Sequence, residues 1–404
     1  MTALEAKGPL QGMKVLDFTI ALAGPYISWQ LADMGAEVWK VERKGAGDQA
    51  RYWAPFINDY STLFMAYNKN KKSIELNLSK QEGKDIIFEM VKHCDIVLEN
   101  FKSGSIDRLG LGYETLKKIN PKIVFVSLSG FGGSGPLKKY PCYDAVAAAR
   151  GGFAASNGEP DGAPMKAANA NCDTITGSHA LNVALMGVYK ARKTGEGCHI
   201  DIGMTDTVMV TCAEQIMDYA RGEYKGNRFG NYDRFIAPYG LFETRDGWAA
   251  IIADTEEKWS ALCDALEAPQ LKEDPRFADN AGRVANKAAL NEALEAITVK
   301  YKRHDLEELL LGAGVPASEV LPFIEAYTSN HADATGCTEF VDQKKIGLIR
   351  FYRNPLKFNG EACPIHRGAP LVGEDSKGIL ASIGYTDEQI EELLESGIIG
   401  ESLF

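Results

Sequence analysis

The chain has 404 residues, is 45% hydrophobic and 25% charged, and carries a formal net charge of -11 at neutral pH. That length is too great for one small core and predicts two domains, or one large α/β domain with an insertion. The acidic balance excludes nucleic acid or an anionic membrane as the main partner, so an anionic ligand must be held by a local basic pocket.

Residues 1–7 lack the apolar core of a signal peptide, and no run approaches the ~20 apolar residues of a membrane span. The eight cysteines are scattered without a C-x-x-C, and the six histidines are equally dispersed. Reduced thiols in a cytoplasmic protein are therefore expected, with neither a disulfide scaffold nor a metal site.

In chain order, residues 13–18 read as a short buried strand, residues 21–25 as a loop, and residues 26 to about 34 as a helix with Pro25 at its first position. Residues 37–41 form a second strand that ends in Glu42-Arg43. This is a β-loop-α-β unit of Rossmann type with its crevice at the strand C-termini. It lacks the G-x-G-x-x-G that cradles a pyrophosphate, so a nicotinamide or flavin is not indicated, although Arg43 stands where a ribose phosphate would be met. Residues 45–53 form a loop rich in groups suited to binding. Residues 68–78 are a basic turn leading into a strand, whose lysines are either solvated or in contact with phosphate.

A helix (80 to about 93), a strand (95–99) and Asn100-Phe101-Lys102 at its C-terminal end come next. Another helix and the strand 122–128 complete a repeating β-α pattern, the mark of a parallel sheet. Residues 129–136 are a glycine-rich loop, suited to close ligand approach or simply to a long turn.

Asn169-Ala170-Asn171-Cys172-Asp173-Thr174 precedes an apolar run in which Ala180, Leu181, Ala184, Leu185 and Val188 return at helical spacing. Asp173 is thereby placed at or just before a helix N-terminus, with Thr174 and Thr176 able to assist the cap. It is either a capping aspartate or a carboxylate nucleophile. A strand (199–203), a long helix (204–219) and a polar linker (221–234) follow. Two strands joined at Asp246-Gly247 then make a hairpin, and helices over 256–266, 285–300 and 306–311 complete a smaller α+β unit. The chain turns strand-like at 346–351 and closes with an amphipathic helix.

These segments together resemble the class III CoA-transferases, the family of formyl-CoA transferase and carnitine CoA-transferase. The resemblance is ordered along most of the chain. It includes Leu16-Asp17-Phe18-Thr19 with Ala23-Gly24-Pro25, Gly35-Ala36-Glu37-Val38 running into Val41-Glu42-Arg43, and Gly45-x-Gly47-Asp48. Asn70-Lys71-Lys72-Ser73-Ile74, Asn100-Phe101 with Arg108-Leu109-Gly110, and Asp173-x-x-x-Gly177 with Lys193-Thr194-Gly195 continue it, and Arg367-Gly368-Ala369-Pro370-Leu371 closes it.

The resemblance implies an α/β fold: a Rossmann-like, parallel-sheet CoA-binding domain (1–220 and 330–404), a smaller α+β domain with linkers (221–329), and an interlocked homodimer. It implies transfer of CoA between an acyl-CoA and a free carboxylic acid, with Asp173 as nucleophile through anhydride and aspartyl-CoA thioester intermediates and without a metal. Backbone N–H groups at the helix start are expected to stabilise the oxyanion. Carried over residue by residue, the coenzyme A pocket comprises Leu22, Ala23, Arg43, Leu76, Asn77, Asn100, Phe101, Lys102, Arg108, Tyr143 and Asp144, with Lys139 as the nearby lysine.

Two departures bear on substrate. Formyl-CoA transferase has glutamine at the position of Leu22, and its glycine tetrad is absent near residues 237–240, so formyl and oxalate groups are not expected. The aromatic and basic set Phe229, Tyr232, Arg234, Phe235 and Tyr239 suits a larger acyl group with a second polar or charged end. Two rival readings remain, a racemase acting on α-methylacyl-CoA and a non-catalytic nucleotide-binding protein. The racemase would need a histidine where Tyr143 stands, and a phenol with a pKa near about 10 replaces it poorly.

Overall fold

The structure, a computed structural model, describes residues 8–223, 226 and 228–402. The reading of residues 1–7, and the linker positions 224, 225 and 227, lie outside the described residues. The described residues fall into two compact units, one drawn from Met1–Phe153, Lys166–Glu223 and Asn330–Phe404, the other from Ala154–Met165 and Tyr224–Ser329. Nothing in the sequence pattern singled out Ala154–Met165 as part of the smaller unit.

The first unit begins with β1 (Lys14–Asp17), α1 (Ala23–Asp33), β2 (Glu37–Arg43), α2 (Thr62–Asn68), β3 (Lys72–Leu76), α3 (Gln81–Val91), β4 (Ile96–Glu99) and β5 (Val124–Ser129). It continues through α4 (Asp144–Arg150), α5 (Asn171–Thr194), β6 (Cys198–Gly203), α6 (Met204–Val210) and α7 (Ala213–Ala220). The last two replace the single long helix read from the sequence, because the chain breaks at Thr211-Cys212.

The smaller unit holds β7 (Tyr239–Thr244), β8 (Gly247–Ile252), α8 (Glu256–Ala265), α9 (Lys287–Thr298), α10 (Arg303–Gly312) and β9 (Ala317–Glu319). Its hairpin turns at Arg245-Asp246, since Gly247 already pairs with Thr244. The chain then returns to the first unit as β10 (Thr338–Gln343), β11 (Gly347–Tyr352), α11 (Ser376–Ser382), α12 (Asp387–Glu395) and β12 (Ile399–Gly400).

The main sheet runs in the order β12-β3-β2-β1-β4-β5-β6. Six strands are parallel, and β12 joins the edge antiparallel to β3. The order 3-2-1-4-5-6 is that of the doubly wound nucleotide-binding folds, whose ligand crevice opens where the order reverses, here between β1 and β4.

Strands this apolar must be covered on both faces. Leu16, Trp39, Val41, Val97 and Phe125 join a buried cluster with Ile86, Ile87 and Met90 of α3 and Ile379 and Leu380 of α11. The alternate residue Val124 lies under α5, where a Cβ on Gly187 would come 2.7 Å from its Cγ1. Each fully buried Leu, Ile or Phe here contributes about 1.5–3 kcal/mol. The smaller unit has its own core, including Phe242, Ile251, Trp259, Leu262, Leu294 and Leu306.

Among the described residues no helix is long and apolar enough to cross a membrane. All eight cysteines are free thiols.

Candidate active site

Asn100, one residue past β4, ties the switch point together. Its Oδ1 accepts the Ile20 N–H at 2.8 Å and its Nδ2 donates to Ile20 O at 2.8 Å. Ala21 sits at φ 67, and its N–H donates to Asp48 Oδ1 at 3.1 Å. Gly24 closes the other side, because a Cβ there would stand 2.3 Å from Thr19 Cβ. The loop after β1 is thus held from three directions before any ligand arrives.

Beneath it lies a buried network of charges. Lys71 Nζ donates to Asn68 Oδ1 at 2.8 Å and meets Asp17 Oδ2 at 3.4 Å. Asp17 also accepts from the hydroxyls of Thr19 and Ser28, each at 2.5 Å. Lys40 pairs with Asp48 at 2.8 Å and donates to Thr19 O at 2.8 Å, while Arg51 forks onto Glu42 at 2.6 and 2.7 Å. Burial pushes Asp17 and Glu42 up. Their cations and hydroxyl donors outweigh it, holding Asp17 below the usual carboxylate range and Glu42 at about 2. Burial dominates at Lys71, whose pKa falls to about 7 despite Asp17.

The turn 68–72 was expected to be solvated or to meet phosphate, and two of its lysines do neither. Lys69 and Lys71 are buried against Asp33 and Asp17. The sequence could not show this because both acids lie on other elements, more than 35 residues away.

Asp173 is the third residue of α5, not its cap. The N-cap position falls on Ala170, which has no side chain to offer. Asp144, the first residue of α4, does the capping from outside: its Oδ1 accepts the N–H of Cys172 at 2.7 Å and that of Asp173 at 3.3 Å. Thr174 and Thr176 do not assist the cap; their hydroxyls donate to Asn171 O and Cys172 O.

The first N–H groups of α5 are therefore taken. Asn171 donates to Asn169 O, Cys172 and Asp173 to Asp144, and Thr174 to Ala170 O. The expected oxyanion donors at the helix start are already satisfied, so charge developing on a substrate must meet other donors. Burial, with the Asp144 charge beside it, pushes the Asp173 carboxyl up to about 7. One turn on, Gly177 lets α5 press against α1, where a Cβ would stand 2.7 Å from the Tyr26 ring and 3.0 Å from Ala23 O.

Asp173 and Asp144 line a cavity of about 500 Å³ together with Leu22, Ala23, Asn100, Phe101, Lys102 and Tyr143. A second cavity, of about 710 Å³, is lined by Arg43, Leu76, Asn77 and Phe101. The two meet at Ile20, Gln49 and Phe101, which line both. Phe101 is steadied by Glu99, which accepts its N–H at 2.8 Å and whose carboxyl burial pushes up to about 7.

Of the residues carried over by resemblance, Arg108 and Lys139 line neither cavity. Arg108 donates to Ser105 Oγ at 2.8 Å, and Lys138, one position before Lys139, lines the Asp173 cavity. Gln49, Trp53, Lys138, Cys142 and Lys166 were not singled out, yet they line the Asp173 cavity. Gln49 and Trp53 fall within the 45–53 loop already read as suited to binding, whereas Lys166 had no signal beyond its nearness to Asn169.

Phe229, Tyr232, Arg234, Phe235 and Tyr239 belong to the smaller unit, where the Arg234 guanidinium lies 4.8 Å from the Phe235 ring centre. In that unit His304, Glu307 and Glu319 bring one potential ligand atom each within 4.8 Å of one another. Glu319 pairs there with Arg303 at 3.1 Å, and Glu307 accepts the Glu319 N–H at 3.0 Å, which accounts for the cluster without an ion.

The raised carboxyl thus lies in a cavity that shares Ile20, Gln49 and Phe101 with the one edged by Arg43. The model for "CoA-transferase family III" matches residues 10–376. The chain is similar to acetyl-CoA:oxalate CoA-transferase of Acetobacter aceti, with 35% identity over 94% of this chain and 96% of that protein. It is similar to succinyl-CoA:glutarate CoA-transferase of Mus musculus, with 32% identity over 97% of this chain and 90% of that protein. A CAIB/BAIF family protein from Brucella suis has a crystal structure that superposes with a TM-score of 0.84 at 33% identity, covering 93% of this chain and all of that one (100%). The chain belongs to CoA-transferase family III, the class of enzymes that its ordered motifs resemble.

Proposed function

We propose that this CoA-transferase moves CoA from an acyl-CoA thioester to a free carboxylic acid with Asp173 as covalent nucleophile, working as an interlocked homodimer. The observation that carries the reading is the placement of Asp173: a carboxyl raised to about 7 in a cavity that adjoins a second one containing Arg43. The larger cavity, with Arg43 and Lys44 on its wall, takes the nucleotide end of CoA. The pantetheine arm passes Ile20, Gln49 and Phe101 to bring the thioester to Asp173.

The ionised Asp173 attacks the thioester carbonyl, the C–S bond breaks, and CoA thiolate leaves behind a mixed anhydride. The thiolate attacks the aspartyl carbonyl, releasing the donor acid as its carboxylate and leaving CoA on Asp173 as a thioester. The acceptor carboxylate then attacks that thioester, and the returning thiolate takes the acceptor's acyl group. Protons balance throughout, since every acid enters and leaves ionised. Other cavity donors, Gln49 among them, meet the oxyanion.

The relatives compared above are named for oxalate and glutarate, acids with two carboxylates, so diacids are the first substrates to try. Oxalate, which Leu22 argued against, returns as a candidate on the Acetobacter relative's name.

The test is mass spectrometry of the protein after incubation with an active acyl-CoA and trapping with hydroxylamine or borohydride. Modification of the peptide containing Asp173 is expected; turnover with Asp173 unmodified would sink the mechanism. Sedimentation tests the dimer, which an active monomer would exclude.

A further inference from the structure

The passage between the two cavities runs past Ile20, Gln49 and Phe101, and a single buried side chain joins the loops that carry the first two. Asp48 Oδ1 accepts the Ala21 N–H at 3.1 Å, from the loop after β1. The same oxygen accepts the Ala50 N–H at 2.9 Å, capping the 3-10 turn Gln49–Tyr52. Its Oδ2 pairs with Lys40 Nζ at 2.8 Å, and Lys40 reaches on to Thr19 O at 2.8 Å. The Asp48 N–H donates to Glu42 Oε2 at 2.9 Å, which fixes the backbone that carries the carboxylate. Asp48 borders the Arg43 cavity, yet its side chain and that of Lys40 are each 0% exposed, so neither charge meets a ligand directly.

A buried ion pair of this kind is costly, because two charges leave water and their attraction seldom beats apolar residues of the same size. Ala21 adds strain at φ 67, in the left-handed region that alanine occupies only when its surroundings hold it there. Both features sit beside the passage.

We infer that Asp48 is a positioning residue: by gripping Ala21 and Ala50 at once it sets the separation of Ile20 and Gln49, and with it the passage that the pantetheine arm of CoA threads. The inference rests on the reading that CoA spans both cavities and adds the group that keeps the way between them aligned. With the grip lost, Ala21 relaxes out of the left-handed region and Ile20 turns with it, held from the side of Asn100. The chain then spends part of its time with the passage misaligned, and the apparent affinity for a ligand that threads it falls by that fraction. A ligand confined to the Arg43 cavity loses nothing.

Two variants separate the grip from the charge. Asp48→Asn/Lys40→Met removes both charges but keeps an oxygen for the two N–H groups, whereas Asp48→Ala/Lys40→Met removes the oxygen as well. Calorimetry compares the binding of CoA with that of 3′-phospho-ADP, its nucleotide end alone. The alanine form should bind CoA about tenfold more weakly than the asparagine form, with 3′-phospho-ADP bound alike by both. Equal CoA affinity in the two variants overturns the inference and leaves Asp48 a purely structural role. So does an equal loss on both ligands, which would place the effect in the nucleotide cavity. A wild type that binds the two ligands alike gains nothing from the arm and overturns it too. If the alanine form does not fold, Asp48→Ser/Lys40→Met takes its place, with a hydroxyl that still caps the turn but is too short to reach Ala21, and the same outcomes decide.

These measurements need no turnover. If Asp173 stays unmodified and no acid receives CoA, the transfer reading falls, and the comparison of CoA with 3′-phospho-ADP still decides the role of Asp48. If transfer proceeds and the two variants bind CoA alike, the transfer reading stands and the Asp48 assignment falls.

Discussion

Asp144 Oδ1 accepts the backbone N–H of Asp173 at 3.3 Å, so one carboxylate builds the helix start on which the other is mounted. The same placement sets two negative charges side by side in a partly dry cavity, and the Asp144 charge adds to burial in raising Asp173 to about 7. Capping and tuning are therefore done by one side chain.

Asp144→Asn separates the two effects, because it keeps an oxygen in the capping position and removes the charge. On the proposed mechanism Asp173 attacks as its carboxylate, so the acid limb of kcat/KM for acyl-CoA should lie near pH 7 in the wild type and move lower in the variant. A pH profile with the limb unmoved would mean that the Asp144 charge does not reach Asp173. Asp144→Ala, which also loses the cap, should cost about 1 kcal/mol of stability besides.

Asp173→Asn should abolish transfer and make the protein more stable at alkaline pH. A carboxyl whose pKa rises from 3.8 to about 7 on folding holds its proton more tightly in the folded chain. Its contribution is therefore complete below the unfolded value and is lost as pH rises through the folded one. At pH 8 the variant should gain roughly 1–3 kcal/mol, after allowance for solvent screening, and the gain should shrink towards pH 4. Denaturant midpoints at the two pH values check this; a gain equal at both contradicts it.

Gly177→Ala ought to stabilise a helix by propensity alone, by about 0.5–1 kcal/mol. Here the added Cβ would meet the Tyr26 ring at 2.7 Å and Ala23 O at 3.0 Å. The expected outcome is a net loss of about 1–3 kcal/mol, together with reduced activity as α5 moves off α1. A midpoint in urea at or above the wild-type value would refute the close approach.

Lys71→Met removes a buried cation from Asp17 and should cost about 3–5 kcal/mol by leaving a buried charge poorly compensated. Adding Asp17→Asn should recover part of the loss. A double-mutant cycle with no coupling would show that the two groups do not sense each other.

Much of the fold was legible because its signals are local. Short apolar runs between helical and loop segments marked β1 to β5, and the repeated β-α alternation already implied a parallel sheet. The two-residue strand β12 was not legible, since Ile399-Gly400 has no pattern of its own and pairs with Glu75-Leu76, more than 300 residues away. The break between α6 and α7 was missed for the opposite reason: the apolar run continues through Thr211-Cys212 although the backbone does not.

The candidate site divides in the same way. By itself the sequence determined the chain's family, the parallel α/β framework, and Asp173 as the carboxylate to watch near a helix start, because these depend on residue order and spacing. Only the tertiary structure decided that Asp144, and not Asp173, caps that helix, that Lys69 and Lys71 are buried ion partners, and that Lys138 and Lys166 line the same cavity as Asp173. Each of those facts depends on which side chains from distant segments share a space, and hydrogen bonding and charge burial act through distance in space, not distance along the chain.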